Sequence, residues 1–402
     1  MDFTLGVDLE AASSSAANKH PSKIDIKNSP ELWGAHNTIK LWKALSPWFE
    51  SILSEEEKYT LIDIPASYPY AYCSGKQPKE RAFGCSFGIT AAVNSLRRDV
   101  VIKILQHGFP ELVIFKKLAL EPTRSHPLNY TIPILDILEY DENYSFAVMP
   151  RWGDISPVFT IGFDCLATGF KLMKDMLKAL SFLHQNLIAH RDIHPHNILI
   201  NYQYSRDFPN SPPFFSKDRK ETRFALCDFG ISVMFSPDVP PSERMCPVEQ
   251  SEWGIFEYHP PDVCEGQVVY DPFPYDVACL GGVFCQLVGN MTPNVPTLAP
   301  FLDHLITPDI ADRYTAAQAL DAFIELKGSL NPYFLSSTPP PPPMTLGDAW
   351  QDYDRWKGLP DDFVKKYTPV RPKRKIQYVV EVDGKSSIFV DSKLCCGRAD
   401  TP

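Results

Sequence analysis

The sequence predicts an α+β protein of two unequal lobes, a small strand-rich N-terminal lobe and a larger helical C-terminal one. Three features carry this reading. Between about residues 65 and 155 the apolar runs are short and β-branched: FGITAAV, VVIKIL, IPILDIL and YSFAVMP, with a helix-like ELVIFKKLAL among them. From about residue 164 helical spacing takes over, and FDCLATGFKLMKDMLKALSFLHQ sets Phe170, Met173, Leu177, Leu180 and Leu183 on one stripe. A strand-rich block followed by a helical block suits two packed units joined by a hinge, placed here at Met149–Asp154.

Each region follows in order. Residues 1–65 divide into a loose arm rich in Ala, Ser, Lys and Asn, and an amphipathic helix over 35–60 carrying Leu41, Trp42, Leu45, Trp48, Phe49 and Ile52. Residues 66–335 form the main domain. Residues 336–402 form a proline-rich linker and a basic C-terminal tail. The run SSTPPPPPM ends the domain at Met344, its five prolines forming a stiff polyproline rod. That rod is a spacer or a ligand for a proline-binding partner. The cluster KKYTPVRPKRK, Lys365 to Lys375, is a solvated basic stretch or a nuclear-import signal, and QYVVEV after it suits one strand.

The totals exclude several classes. A length of 402 residues fits a domain of roughly 250 residues with extensions, since single cores stop growing near that size. A net charge of −10 gives no basic field for nucleic acid or anionic membrane. No apolar run reaches ~18 residues, and the N-terminus lacks the basic-then-apolar order of a secretory signal. Several of the 10 cysteines sit in apolar runs such as VACLGGVFCQL, where they act as small hydrophobes. The expected location is therefore cytoplasmic or nuclear.

The chemistry concentrates in three stretches. VVIK ends a β-branched strand on Lys103, an ammonium suited to phosphates. HRDIHPHN supplies Asp192 as a carboxylate and Asn197 as a neutral oxygen ligand. ALCDFG puts Asp228 directly after an apolar strand, where a carboxylate can chelate magnesium. Phosphoryl transfer needs little more than these parts: a held nucleotide, placed metal ions and an oriented hydroxyl.

In that order and local context, these motifs resemble the protein kinase family over about residues 75–330, and MPRWGD resembles a kinase-like group found in fungi. The resemblance implies a two-lobed kinase-like fold using ATP and Mg2+. Asp192 would act on the acceptor hydroxyl of a protein substrate, Asn197 and Asp228 would hold the metal, and Lys103 with Glu111 would position the phosphates. Gly84 and Gly88 in FGCSFG would cover the nucleotide; Met149 would guard the adenine pocket, with Pro150–Trp152, including Arg151, as the linker. WGIFEYHPPDV resembles the end of the activation segment, YDVACLGGVFCQL the following helix with Asp276 bracing the catalytic loop, and DRYTAAQAL the region where Arg313 would pair with Asp262.

The sequence also departs from the family. Ser86 stands where the glycine loop has its middle glycine, and Glu111 follows Lys103 by fewer residues than usual. His194 replaces the lysine of serine/threonine kinases, so turnover is expected to fall as pH rises through the titration of an imidazole, near ~6.5 in model peptides. Ile255 replaces the usual threonine. Serine or threonine is the expected acceptor, and the alternative is a pseudokinase scaffold that binds nucleotide or partners without transfer. The loop YQYSRDFPNSPPFFSKDRKETR is expected to be a tolerated surface insertion or a partner-docking loop, and Gly230–Tyr258 carries Ser232, Ser236, Ser242 and Ser251 as plain loop serines or sites of an activating phosphate. A phosphate on one of those serines would meet Arg191.

Overall fold

The computed structural model describes residues 50–51, 68–73, 88–94, 98–155, 158–159, 162–203, 222–254, 258–260, 263, 268–340, 353–367, 378–382 and 385–389. The N-terminal part is a five-stranded sheet in the order β1–β3–β4–β6–β5: β1 is Glu50–Ser51, β3 Ile89–Val93, β4 Asp99–Gln106, β5 Asp136–Glu139 and β6 Tyr144–Pro150. Period-two alternation along β4 divides its side chains between two faces. Val100, Ile102 and Ile104 join Ala92, Phe146 and Val148 in one apolar cluster. Val101, Lys103 and Leu105 face the other way, where Leu105 belongs to the main core.

Helix α1 (Pro110–Ala119) follows β4 at once. Gly108, at φ 86°, makes the turn in a left-handed conformation that costs glycine little. Pro110 stands in the first helical turn with its φ preset, and Glu111 sits where the partial positive charge of the helix start favours a carboxylate. Leu112, Phe115 and Leu118 are buried on the core side. The expected strand IPILDIL is shorter than its apolar pattern: only Asp136–Glu139 is strand, and the Ile132 amide donates instead to the Leu226 carbonyl at 2.9 Å. Of the helix expected over 35–60, only Glu50 and Ser51 lie within the described residues, and they form β1, paired antiparallel with β3.

A short segment between β1 and β3 ties the two parts together. The Trp152 indole donates to the Pro69 carbonyl at 2.8 Å, and β2 (Tyr72–Cys73) pairs in parallel with β10 (Tyr202–Gln203). Beyond the hinge, β7 (Gly153–Asp154), β9 (Ile198–Ile200) and β11 (Phe224–Leu226) form a second small sheet. Helix α2 (Leu166–Gln185) runs beneath it. Its buried Asp175 accepts from Lys171 at 3.1 Å and from the Phe224 amide at 3.1 Å, so helix and sheet share one polar contact. Two further ribbons follow, β8 (Ile188–Ala189) with β12 (Val233–Met234), and β13 (Cys246–Pro247) with β14 (Val269–Tyr270).

Helix α3 (Pro272–Val288) starts on the Asp271 side chain, which accepts from the Phe273 amide at 3.0 Å. It is buried on nearly every side, as a central helix must be. Gly281 lets α4 (Leu298–Ile306) approach: a Cβ there would stand 2.6 Å from Ile306 Cγ2 and 2.7 Å from Leu305 Cβ. Gly281→Ala is therefore expected to cost about 1–3 kcal/mol, read as a lower urea midpoint at unchanged slope. Helix α5 (Ala316–Gly328) opens with a capping box of Thr315 and Gln318, and α6 (Pro332–Leu335) follows.

The packed structure continues past the proline run. Residues 353–367 lie against α4 and the end of α3, where the sequence pattern placed only linker and tail. Arg355 Nε meets Asp303 Oδ1 at 2.5 Å and the Trp356 indole donates to Asp303 Oδ2 at 2.7 Å, all three residues being buried. Helix α7 (Asp361–Tyr367) carries Lys365 and Lys366, and the remaining cluster to Lys375 lies outside the described residues. The strand expected at QYVVEV is β15 (Tyr378–Val382), paired with β16 (Lys385–Phe389). No helix among the described residues is long and apolar enough to cross a membrane.

Candidate active site

The site forms where the first sheet, α1 and the β9–β11 ladder converge. Lys103 lies on β4, between β3 and β6, opposite Ile89 and Ala147. Its ammonium meets Glu111 Oε1 at 2.5 Å and Asp228 Oδ1 at 2.8 Å. The separation of eight residues between Lys103 and Glu111 is enough because α1 begins directly after the turn, which brings its first acidic residue back over the strand. Burial would lower the Lys103 pKa, but the Glu111 and Asp228 carboxylates outweigh it and hold the ammonium well above its ordinary value. Burial would raise Asp228, and Lys103 with the Gly230 amide reverses that, so it stays ionised below its usual range.

Asn197 and Asp228 lie far apart in sequence and close in space. Antiparallel pairing of β9 with β11 sets Ile198 opposite Leu226, and the Cys227 amide donates to the Asn197 carbonyl at 2.9 Å. Asp228 then turns out of the strand at φ 64°, a conformation that non-glycine residues adopt only when their contacts impose it. The Gly230 amide, at 3.0 Å from Asp228 Oδ1, is one such contact.

The loop His190–Asn197 is fixed from several sides. Asp276 on α3 is fully buried and accepts from the His190 and Arg191 amides, each at 2.7 Å, and its Oδ2 also meets His184 Nε2 at 3.1 Å. This is the bracing role expected of it. Burial lowers the His190 pKa, so the ring is neutral. Its Nδ1 accepts from the Asp192 amide at 3.3 Å, which leaves Nε2 to donate to the Cys227 carbonyl at 2.9 Å. Asn197 Nδ2 donates both to the Asp192 carbonyl, at 2.9 Å, and to Asp192 Oδ2, at 3.0 Å. Asp192 Oδ1 faces His194 Nε2 at 3.5 Å. Burial would raise the Asp192 pKa, but contact with His194 outweighs it and keeps the carboxylate below its ordinary value.

Other expected positions divide. Met149 is buried near the end of β6, opposite Val101 of β4. Arg151 turns back toward the start of β4: its amide donates to the Asp99 carbonyl at 3.2 Å and its guanidinium lies 3.9 Å from the Asp99 carboxylate. Gly88, at φ 80°, opens β3, and its carbonyl accepts from the Ile104 amide at 2.9 Å. Gly84, Ser86, Ile255, Asp262 and most of the loop between Tyr202 and Arg223 lie outside the described residues. The Arg313 guanidinium donates to the carbonyls of Thr307 and Pro274.

The Arg191 side chain is bound within the protein. Its guanidinium is buried and donates to the Tyr270 hydroxyl at 2.9 Å and to the carbonyls of Ile231 and Gln250, each at 3.0 Å. Sequence reasoning passed over Tyr270, because a tyrosine on a two-residue strand carries no local signal.

The donors present suit a magnesium ion. Mg2+ takes hard oxygen ligands, keeps several waters, and is often bound through one or two carboxylates plus phosphates. Asp228 supplies a half-exposed carboxylate. Asn197 has turned its Nδ2 to Asp192, which leaves its amide oxygen as the atom to meet a cation.

The family model described as "Protein kinase domain" matches residues 166–297. The chain is 22% identical over 200 residues to "Mitogen-activated protein kinase 13" of Oryza sativa subsp. indica, covering 50% of this chain and 32% of that protein. It is 25% identical over 170 residues to "Probable serine/threonine-protein kinase KKQ8" of Candida glabrata, covering 39% and 19%. It is 30% identical over 134 residues to "Serine/threonine-protein kinase PTK2/STK2" of Saccharomyces cerevisiae, covering 30% and 14%. The chain thus matches a third or less of the length of these relatives.

Proposed function

We propose that this chain is a member of the eukaryotic protein kinase superfamily and an ATP-dependent protein kinase that phosphorylates a protein hydroxyl, serine or threonine. The observation that carries the proposal is the Lys103 ammonium held between Glu111 at 2.5 Å and Asp228 at 2.8 Å. An ammonium fixed on a central strand and a carboxylate beside it form a seat for phosphates and their metal. In this reading the protein is two-lobed, with the nucleotide between the sheet and the helical part. Met149 lines the adenine end, and Gly84 and Gly88 cover the phosphates.

Bound Mg2+ and ATP supply the transferable phosphoryl group and neutralise its charge. The chain's own residues orient and protect. Lys103 holds phosphate oxygens, Asp228 and Asn197 are the metal ligands, and Asp192 accepts a hydrogen bond from the acceptor hydroxyl. His194 takes the place of the cationic helper beside Asp192. Residues 66–335 form the domain in this account, and 353–367 are packed onto it rather than free.

Nucleotide binding tests the seat. ATP affinity is expected to rise at least about tenfold on adding magnesium, with Asp228→Asn removing that gain because a metal-bound carboxylate is lost. Titration calorimetry on the full chain reads both. Equal affinity with and without magnesium in the natural chain would contradict the assignment.

A further inference from the structure

The buried arginine of the catalytic loop carries the next step. Three of the five N–H groups of the Arg191 guanidinium, one on each nitrogen, donate to the protein. Nε reaches the Tyr270 hydroxyl at 2.9 Å, Nη1 the Ile231 carbonyl at 3.0 Å and Nη2 the Gln250 carbonyl at 3.0 Å. Ile231 stands at the start of the segment Gly230–Gly254 and Gln250 near its end. Tyr270 lies on β14, whose partner β13 is Cys246–Pro247 of the same segment. One side chain therefore ties both ends of the segment and its ribbon to the loop that carries Asp192.

The rest of the segment agrees. Ser232 is buried and donates to the His190 carbonyl at 2.9 Å, and Ser251 is buried and donates to the Val248 carbonyl at 2.7 Å. Neither can take a phosphate without leaving its place. Tyr258 is buried against Gln286. Of the segment's hydroxyl residues, only Ser236 and Ser242 are exposed. Arg191 is itself held at φ 70° by its amide bond of 2.7 Å to Asp276, which fixes where its guanidinium points.

We propose that Tyr270 is a positioning residue: with Arg191 it holds the segment Gly230–Gly254 in its working arrangement without phosphorylation. The inference rests on the kinase reading, since it concerns that reading's active state. Tyr270 acts through Arg191 on the loop of Asp192. The ring is anchored by Tyr275, their centroids 4.9 Å apart, so the hydroxyl is directed at Arg191.

The test uses the full chain, freed of phosphate by a broad phosphatase and checked by mass. Hydrogen exchange across residues 231–253 and transfer to a generic protein acceptor are both measured. The dephosphorylated chain is expected to keep its segment protection and its turnover. Tyr270→Phe should raise exchange in the segment and lower kcat about tenfold, with ATP affinity unchanged, because one charge-assisted bond to a buried donor is gone. The double variant Ser236→Ala/Ser242→Ala should behave as the natural chain, and it decides the question even if Tyr270→Phe fails to fold. Loss of segment protection or of turnover on dephosphorylation or in the serine variant overturns the proposal, as does natural behaviour of Tyr270→Phe. If the chain transfers no phosphate at all, the kinase reading fails while segment exchange still decides this one.

Discussion

Asp192→Asn is expected to lower phosphate transfer by about 10²–10⁴-fold and to leave magnesium-dependent ATP affinity within about twofold. Asparagine keeps the shape, so Asn197 Nδ2, which donates to Asp192 Oδ2 at 3.0 Å, still has an oxygen to meet. It removes the negative charge that, in the proposed mechanism, orients the acceptor hydroxyl. That charge is present at neutral pH, since contact with His194 holds the carboxylate below its ordinary pKa despite burial. Steady-state kinetics beside calorimetry separates the two effects. A matched loss of affinity would mean that Asp192 works through the nucleotide seat.

Asp276→Ala is expected to be the most damaging single change to the fold near the site, at roughly 3–5 kcal/mol. Asp276 has no exposed surface, and it satisfies the His190 and Arg191 amides at 2.7 Å each. Alanine strands both amides and the His184 ring at once, in a place where water does not reach them. The loop then loses the contact that holds Arg191 at φ 70°, so transfer should fail along with stability. Denaturant melts compared with the natural chain give the first quantity. A loss under about 1 kcal/mol would show that the amides find other partners.

Much of the candidate site was legible because its parts are short motifs with local chemistry. Lys103, Asp192, Asn197 and Asp228 each stood out by residue type beside an apolar strand, and the β9–β11 pairing brings the last two together. Asp276 was legible only through the family resemblance. The missed features are long-range. Nothing near Tyr270 announces that its hydroxyl meets Arg191 across 79 residues, and nothing near Trp356 announces Asp303 across 53. A proline run looked like the end of packing, yet Trp356 and Leu359 are buried with Ala299 beyond it. The resemblance implied that Arg191 could meet a phosphate, and the fold adds its bonds to the Tyr270 hydroxyl and to the carbonyls of Ile231 and Gln250. The apolar pattern of IPILDIL suggests a longer strand than forms, since nothing local announces that the Ile132 amide bonds to Leu226 instead.

The central claim is that this modified set of residues still transfers phosphate. The most direct measurement is transfer from labelled ATP by the full chain, with magnesium, to a generic protein acceptor and to the chain itself. The account predicts transfer that requires magnesium and that Asp192→Asn and Asp228→Asn each abolish. Magnesium-dependent nucleotide binding with no transfer to any acceptor would contradict it, and would describe a scaffold that holds nucleotide without using it.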